Sequence, residues 1–222
     1  MSGVFERALG ADFAFLHPRM RERLALSAGR GMIGHGVMDR IWRGPGFTLP
    51  FLWLGSTRHI LFPDCGRNVP FTIENYPYVD RHGRETVSFV RTFEFPRRRR
   101  RFDAQMVYSA GRGLVDYLGT HQHLAVDLAV SARPDGGFRI RSGEFRLQEG
   151  PVRAGLPRVL TGTARVEEWF DEASGQFRIE VAVVHPRFGP VFGYEGSFSA
   201  RFVDVGGGAG GAVKPLREKV MD

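Results

Sequence analysis

Apolar and polar residues alternate along the middle of the chain, from Phe71 to Ser131. Within Glu85–Phe95, one set of alternate positions carries Val87, Phe89, Phe93 and Phe95. The same period of two returns over residues 102–108 and 124–130. This is the period of a β-strand with one face in the core. The stretch therefore predicts five consecutive strands of a curved antiparallel sheet.

The second half of the chain continues this pattern. Further alternating runs are Phe138–Phe145, Thr161–Phe170, Phe177–His185 and Val191–Val205. Turn sequences separate the runs at Asp80–Gly83, Ala110–Gly113, Asp135–Gly137 and Asp171–Gly175. So many strands rarely remain an open sheet, because open edges are prone to aggregate. The predicted fold is mainly β (α+β): a strongly curved antiparallel sheet or a β-barrel of about 9–10 strands.

The remaining segments complete a single predicted domain over residues 1–205. Helices are expected over about residues 4–27, with a restart at Pro18. The apolar segment Phe47–Leu54 predicts a turn of helix or a plug at one end of the barrel. Gln148–Leu160 is predicted to be a long loop. A Gly-rich linker and a disordered charged tail are predicted for residues 206–222.

Composition adds a basic charge and excludes several classes of protein. The 222 residues carry a net charge of +7, and lysine occurs only at positions 214 and 219. A lone cysteine, Cys65, and the lack of a signal-like or membrane-spanning apolar run predict a cytoplasmic protein. Phosphate loops, dinucleotide fingerprints, nucleophile elbows and paired Cys motifs are missing. The sequence predicts no cofactor and gives no indication of oligomeric state.

Three charged residues interrupt the apolar stripes. Arg91 stands between Phe89 and Phe93, Asp116 between two leucines, and Glu168 between Val166 and Phe170. A buried charge needs a partner, so these groups either pair structurally, reach water at strand ends, or contact a ligand.

The leading functional hypothesis is an accessory module that binds an apolar or amphipathic small molecule inside the barrel. Arg91, Asp116 and Glu168 would fix its polar end. The residues expected to line the cavity are Phe89, Phe93, Met106, Tyr108, Phe192, Tyr194 and Phe198.

A second hypothesis is an enzyme that uses Glu74, Tyr76, His121, His123 or Asp116 as acid–base groups in the same cavity. Glu74 and Tyr76 share one face of a strand, as do His121 and His123 if that segment is extended. With Asp127, the two histidines are also weak candidates for a metal site. The alternatives are core tyrosines and ordinary surface histidines.

A third hypothesis rests on the five consecutive arginines Arg97–Arg101. Such a basic tip attracts anionic lipid or nucleic acid without reading sequence. Nucleic acid is the less favoured of the two, because no aromatic residues are interleaved with the arginines. The alternative interpretation of the arginine run is a solvated hairpin without a binding role.

Four long blocks of the chain resemble one bacterial family. The blocks are GHGVMDRIWRG, FTIENYPYVDRHGRETVSFVRTFEF, DYLGTHQHLAVDL and RFGPVFGYEGSF. Together they resemble the family catalogued as domain of unknown function 4166, over roughly Leu9 to Asp204. Members of that family are found alone or C-terminal to chains that resemble saccharopine dehydrogenase. The resemblance implies an accessory role beside an oxidoreductase partner and carries over no catalytic residue.

Overall fold

The computed structural model describes residues 3–27, 29–149, 152–156, 161–205, 214–215 and 217–221. Within them, the helices are α1 (Val4–Leu9), a 3₁₀ helix (Gly10–Phe15), α2 (Pro18–Leu24), a second 3₁₀ helix (Gly46–Thr48) and α3 (Leu49–Ser56). The strands are β1 (Arg30–Arg43), β2 (Gly66–Val79), β3 (Glu85–Phe95), β4 (Arg98–Ser109), β5 (Gly113–Leu118), β6 (Leu124–Ala132), β7 (Phe138–Glu149), β8 (Val152–Leu156), β9 (Thr163–Asp171), β10 (Gln176–His185) and β11 (Gly189–Asp204).

Ten of these strands form a closed antiparallel barrel. The hydrogen-bonded order is β6-β5-β4-β3-β2-β1-β11-β10-β9-β7, and β6 also pairs with β7, which closes the ring. β8 pairs with β7 and is an additional strand. Closure removes the unpaired edges of an open sheet. The predicted mainly β fold, with a barrel of about 9–10 strands and an N-terminal helical segment, is confirmed.

One local prediction is wrong. The loop expected over Gln148–Leu160 contains β8, which forms an antiparallel ladder with the end of β7 from Glu149↔Val152 to Phe145↔Leu156. The ladder satisfies backbone groups that a loop would leave to water. Residues 150–151 and 157–160 of the expected loop lie outside the described residues.

The C-terminal end also differs from expectation. In place of a disordered tail, the structure packs Arg217–Met221 against the outer face of the barrel. The Lys219 backbone N–H donates to Gln122 Oε1 at 2.6 Å, and the Met221 backbone N–H donates to the Tyr117 hydroxyl at 3.2 Å. These partners lie far away in sequence, so local composition did not indicate them. The predicted linker, residues 206–212, lies outside the described residues.

Glycines allow β1 and β11 to approach closely. Gly36 lies opposite Phe198, and a Cβ atom at Gly36 would overlap the Ser197 carbonyl oxygen and lie 2.5 Å from Phe198 Cα. Since both obstacles are backbone atoms, a strand would have to move. We expect Gly36→Ala to lower the free energy of unfolding by about 2–3 kcal/mol, measured by urea denaturation.

Gly46→Ala is the matched control for this prediction. A Cβ atom at Gly46 would meet nothing within 4 Å. Equal midpoints for the two variants would contradict the proposed steric role of Gly36.

Aromatic side chains fill much of the barrel. Phe62, Phe93, Phe192, Tyr194 and Phe198 are each 0 % exposed. Their rings contact one another, with centroids 5.2 Å apart for Phe93 and Tyr194 and 4.9 Å apart for Phe62 and Phe192. These aromatic rings therefore contact one another inside the barrel. Phe93, Phe192, Tyr194 and Phe198 among them are residues that the sequence predicted to line a cavity.

The two ends of the barrel are covered differently. α1 covers the first end, where it contacts β3, β4, β5 and β6. At this end β3 and β5 begin, and β4 and β6 end. Phe5 of α1 packs edge-on against Phe89 and Phe138. The segment that joins β1 to β2 contains α3, which contacts β4. Arg43↔Phe192 and Ile41↔Gly66 place the end of β1 beside the starts of β11 and β2. We call this second end the α3 end.

Candidate functional site

The three charged residues singled out by the sequence all lie on the inward face of the barrel. Arg91 pairs in register with Ile73 and Phe102, Asp116 with Met106 and Val126, and Glu168 with Phe138 and Ile179. Their exposed fractions are 8%, 7% and 5%. They are therefore buried charges whose partners must be identified individually.

Glu168 has a structural partner that the sequence did not indicate. Arg23 of α2, 1% exposed, enters the barrel and places Nε 2.6 Å from Glu168 Oε1 and Nη2 3.2 Å from Oε2. Its Nη1 donates to Asn75 Oδ1 at 3.0 Å. The Nε contact is a close ion pair without hydrogen-bond alignment. Glu168 is thus paired with Arg23, not with Arg91.

Arg23 could have been noticed from helical spacing. Met20, Arg23 and Leu24 form the buried face of α2, so an arginine occupies a position in an apolar stripe. Asn75 is the corresponding polar position on β2. It shares the inward-facing positions with Ile73, which is buried, and Pro77, which is half-buried. Both are polar residues at positions where the period predicts an apolar side chain, which is the pattern that identified Arg91.

Arg91 is buried without a full set of hydrogen-bond partners. Its Nε and Nη1 atoms are inaccessible and have no partner among the described residues. The guanidinium carbon lies 5.2 Å from the Phe89 ring centroid and 4.8 Å from that of Phe102. Cation–π contact compensates part of the burial. It leaves the two N–H groups unsatisfied.

Asp116 is a buried acidic group on which the charge of Arg91 acts. Burial raises the pKa of Asp116 to about 7, and the positive charge of Arg91 opposes the shift without cancelling it. Asp116 Oδ1 is buried and has no hydrogen-bond partner in the described part of the chain. No ion pair within 4.0 Å joins Asp116 to Arg91 in the same part. Asp116 is therefore divided between its acid and carboxylate forms near neutral pH.

Tyr194 adds a hydroxyl to this interior cluster. Its OH group is buried and has no partner among the residues described. Burial raises the pKa of Tyr194; Arg91 acts to lower it and Glu168 to raise it, so both charges lie near the hydroxyl. Arg91, Asp116 and Tyr194 together form what we call the interior polar cluster.

The aromatic residues predicted to line a ligand cavity are packed. Phe89 and Phe93 are 3% and 0% exposed and contact Phe5 and Tyr194, respectively. Tyr108 is half-buried, with Arg7 over its ring at 4.3 Å. A wide apolar cavity is therefore not formed by these side chains, and the incompletely satisfied groups belong to the interior polar cluster.

Glu74 and Tyr76 lie on the outer face of β2. The Tyr76 hydroxyl donates to Glu74 Oε2 at 2.6 Å. Partial burial, together with the hydrogen bond and charge of Glu74, raises the pKa of Tyr76 to about 12. Because Asp116 points inward, these groups do not share a pocket with it. The acid–base hypothesis loses the convergence on which it depends.

The histidines lie in the turn between β5 and β6. The His121 and His123 rings are 6.1 Å apart, and His121 Nδ1 is buried without a described partner. Asp127 is held instead by Arg146, with contacts of 2.6 and 2.9 Å, and by Arg112 at 3.0 Å. Within the described ranges, no cluster of three or more His, Cys, Asp or Glu side chains could hold a metal ion. The weak metal hypothesis gains no support.

The arginine run forms the start of β4, and several of its members are paired. Arg98 and Arg100 contact Asp64 at 3.5 and 2.5 Å, Arg99 contacts Glu94 at 2.7 Å, and Arg101 contacts Asp103 at 2.8 Å. Arg97 is exposed at the hairpin. The run therefore keeps a net positive charge at the α3 end.

One small cleft lies beside the start of α1, where β2 ends and β3 begins. It has a volume of about 20 Å³ and is bordered by Gly3, Leu26 and the start of β3. That volume suits about one water molecule. None of the residues that line it belongs to the interior polar cluster.

Across the described part of the chain, the helices are all too short or too polar to traverse a bilayer.

Comparison with known proteins identifies relatives without an assigned function. The chain is similar to the uncharacterized protein YndH of Bacillus subtilis (strain 168), with 33% identity over 199 residues, which cover 89% of this chain and 97% of YndH. No solved structure matches. The expected association with saccharopine dehydrogenase is not shown by this relative. Residues 16–198 match the family described as Domain of unknown function (DUF4166), and the chain belongs to that family.

Proposed function

We propose that the barrel binds a small molecule with an anionic head group and a short apolar part, and that Arg91 receives the head group. The observation that carries this proposal is the buried Arg91 guanidinium, whose Nε and Nη1 have no partner among the described residues. A carboxylate or a phosphate presents anionic acceptor oxygens that suit a guanidinium fork.

The second buried arginine shows why Arg91 is unusual. Arg23 is engaged by Asn75 and Glu168, as expected of a structural arginine. Arg91 has aromatic rings around it and no comparable carboxylate contact. A buried donor left without an acceptor costs about 1–3 kcal/mol, and more when it is charged. An anionic ligand would remove that cost.

The neighbouring groups favour the same kind of ligand. Tyr194 offers a hydroxyl that can donate, and Asp116 can donate while it is protonated, below about pH 7. Phe89 and Phe102 provide apolar contact beside the guanidinium. Because the remaining aromatics pack on one another, the ligand's apolar part must be short. The finer proposal is therefore a small amphipathic acid, not a long lipid chain.

The proposal is tested with octanoate and inorganic phosphate as probes. We expect at least one of them to raise the melting temperature of the wild-type protein at pH 6. Binding should weaken by roughly tenfold at pH 8, because ionised Asp116 repels an anion. Native mass spectrometry of the purified protein provides a second readout through any small acid that co-purifies.

Variants localise the binding. Arg91→Met should abolish the shift, and Tyr194→Phe, which removes only the hydroxyl, should weaken it without unfolding the barrel. Exposed Arg21→Met is the matched control. A wild-type protein that responds to neither probe, or an Arg91→Met protein that responds equally, would contradict the proposal. A response to octanoate alone would support a carboxylate head group with an apolar part. A response to phosphate alone would support an anion site at Arg91 and contradict the apolar part of the proposal.

The association with an oxidoreductase stays a prediction of the family resemblance. A binding module of this kind would serve such a partner by presenting or storing a small acid. The interior polar cluster does not depend on that partner.

A further inference from the structure

Large apolar side chains are exposed together at the α3 end. They are Phe47 (50%), Phe51 (74%), Trp53 (49%), Leu54 (57%) and Phe188 (49%). The Phe47 and Phe188 rings are 5.0 Å apart, so the segment before α3 and the β10–β11 hairpin form one continuous surface. We call these five residues the α3 surface. Large exposed apolar side chains gathered at one end of a protein favour an interaction site, whereas singly scattered ones need no explanation.

The α3 helix has more apolar surface than the barrel covers. Its sequence, LPFLWLGS, is apolar on nearly every side, and within it only Leu52 is buried. A helix that is hydrophobic all round is normally enclosed by protein or membrane. The outer side of α3 therefore suits an apolar medium better than water.

Arginines surround this apolar surface. Residues 43–67, 94–101 and 185–189, which form the α3 end, contain nine arginines against two carboxylates, Asp64 and Glu94, and Asp103 pairs with one of these arginines, Arg101. Arg100 lies 5.4 Å from the Trp53 ring centroid and Arg187 lies 5.8 Å from that of Phe188. A net positive charge thus lies beside the exposed aromatic residues of the α3 surface.

We propose that the α3 surface docks the barrel onto an anionic lipid bilayer. Phe51, Trp53 and Leu54 enter the boundary between head groups and acyl chains, and the surrounding arginines contact lipid phosphates. Nucleic acid fits this arrangement less well, because its phosphates would have to face an apolar centre. The inference does not rest on the interior ligand.

The experiment uses vesicle co-sedimentation and the fluorescence of Trp53. Vesicles contain phosphatidylcholine alone or with about one third phosphatidylglycerol, at low salt and at about 0.5 M salt. We expect binding to the anionic vesicles, a blue shift of Trp53 emission in a Trp42→Phe/Trp169→Phe background, and weaker binding at high salt. No binding to the anionic vesicles, or equal binding to both vesicle types, would overturn the proposal.

Variants separate the apolar and charged contributions. Phe51→Ser/Trp53→Ser should weaken vesicle binding by roughly tenfold or more, and Arg97→Gln/Arg99→Gln should weaken it by roughly tenfold and reduce its salt dependence. The matched controls are Phe15→Ser, which changes a side chain 72% exposed near the other end, and Arg21→Gln on α2. Both controls should bind as the wild type does.

Other occupants of the surface give distinct results. A wild-type dimer that Trp53→Ser converts to monomer, without vesicle binding, would assign the surface to a second copy. Binding to duplex DNA that needs Arg97 and Arg99 but not Phe51 would assign the arginines to nucleic acid. Either outcome overturns the proposal. If the double apolar variant unfolds, Leu54→Ser and the Trp53 emission of the folded protein decide the question.

Discussion

Replacing Arg23 with methionine is expected to lower the free energy of unfolding by about 3–5 kcal/mol, because it leaves Glu168 buried and uncompensated. Arg23 and Glu168 are 1% and 5% exposed, and their closest charged atoms are 2.6 Å apart. Urea denaturation followed by tryptophan fluorescence measures the loss. The same substitution also removes the donor to Asn75 Oδ1.

Two variants test whether the pair itself causes this loss. Arg23→Met/Glu168→Leu removes both charges and should recover most of the stability, because well-packed apolar residues can replace a buried pair. Arg19→Met, on the same helix, breaks the exposed Arg19–Glu22 pair and should cost less than about 1 kcal/mol. A double variant as unstable as the single one would refute the electrostatic explanation.

Asp116→Asn is expected to change how stability depends on pH. The pKa of Asp116 in the folded protein, about 7, lies above its ordinary value of 3.8, so the folded state holds the proton more tightly than the unfolded state does. The stability that this proton supplies is complete below about pH 4 and is lost as the pH rises through about 7. The pKa difference corresponds to roughly 4 kcal/mol.

The measurement compares unfolding free energies of wild type and Asp116→Asn between pH 4 and pH 8. The asparagine can change stability by an amount that does not depend on pH. Beyond that amount, the free energy of unfolding of Asp116→Asn should rise relative to that of wild type as the pH rises. Asp127→Asn is the control: burial opposes ionisation of Asp127, but Arg146 and Arg112 outweigh it and lower its pKa below the ordinary value of 3.8. The stability that this carboxylate supplies is lost only as the pH falls below about 4, so the difference between wild type and Asp127→Asn should stay nearly constant between pH 4 and pH 8. Parallel curves for wild type and Asp116→Asn would show that Asp116 ionises normally.

The barrel could be predicted because most of its strands have one face in the core. In β3, the inward positions Val87, Phe89 and Phe93 are 2%, 3% and 0% exposed, and they belong to the apolar set that the sequence displays. Turn residues such as those of Asp80–Gly83 then separated the strands. The strand number favoured strong curvature or closure, since a sheet this large would otherwise have exposed edges, but it left an open curved sheet and a closed barrel as alternatives. The β6–β7 pairing of the structure decides for the barrel.

Partners across the barrel could not be predicted from the same pattern. Alternation places Glu168 on an inward face, but its partner Arg23 is 145 residues away on a helix that enters the barrel. Likewise, alternation alone cannot tell a hollow interior from one filled by aromatic rings. Arg91, Asp116 and Glu168 were correctly singled out as inward-facing charges, whereas their individual pairings required the three-dimensional arrangement.

The packed C-terminal segment has a consequence for the chemistry of the chain's amines. Lys214 and Lys219 are its only lysines. The Lys214 ammonium lies over the Tyr78 ring at 4.6 Å, and Lys219 Nζ donates to the Gln148 carbonyl oxygen at 2.7 Å. Both lysine side chains are therefore in contact with the barrel when acylating reagents, including amine-directed cross-linkers, react with the protein. Faster acylation of Lys219 reports that the C-terminal segment has detached from the barrel.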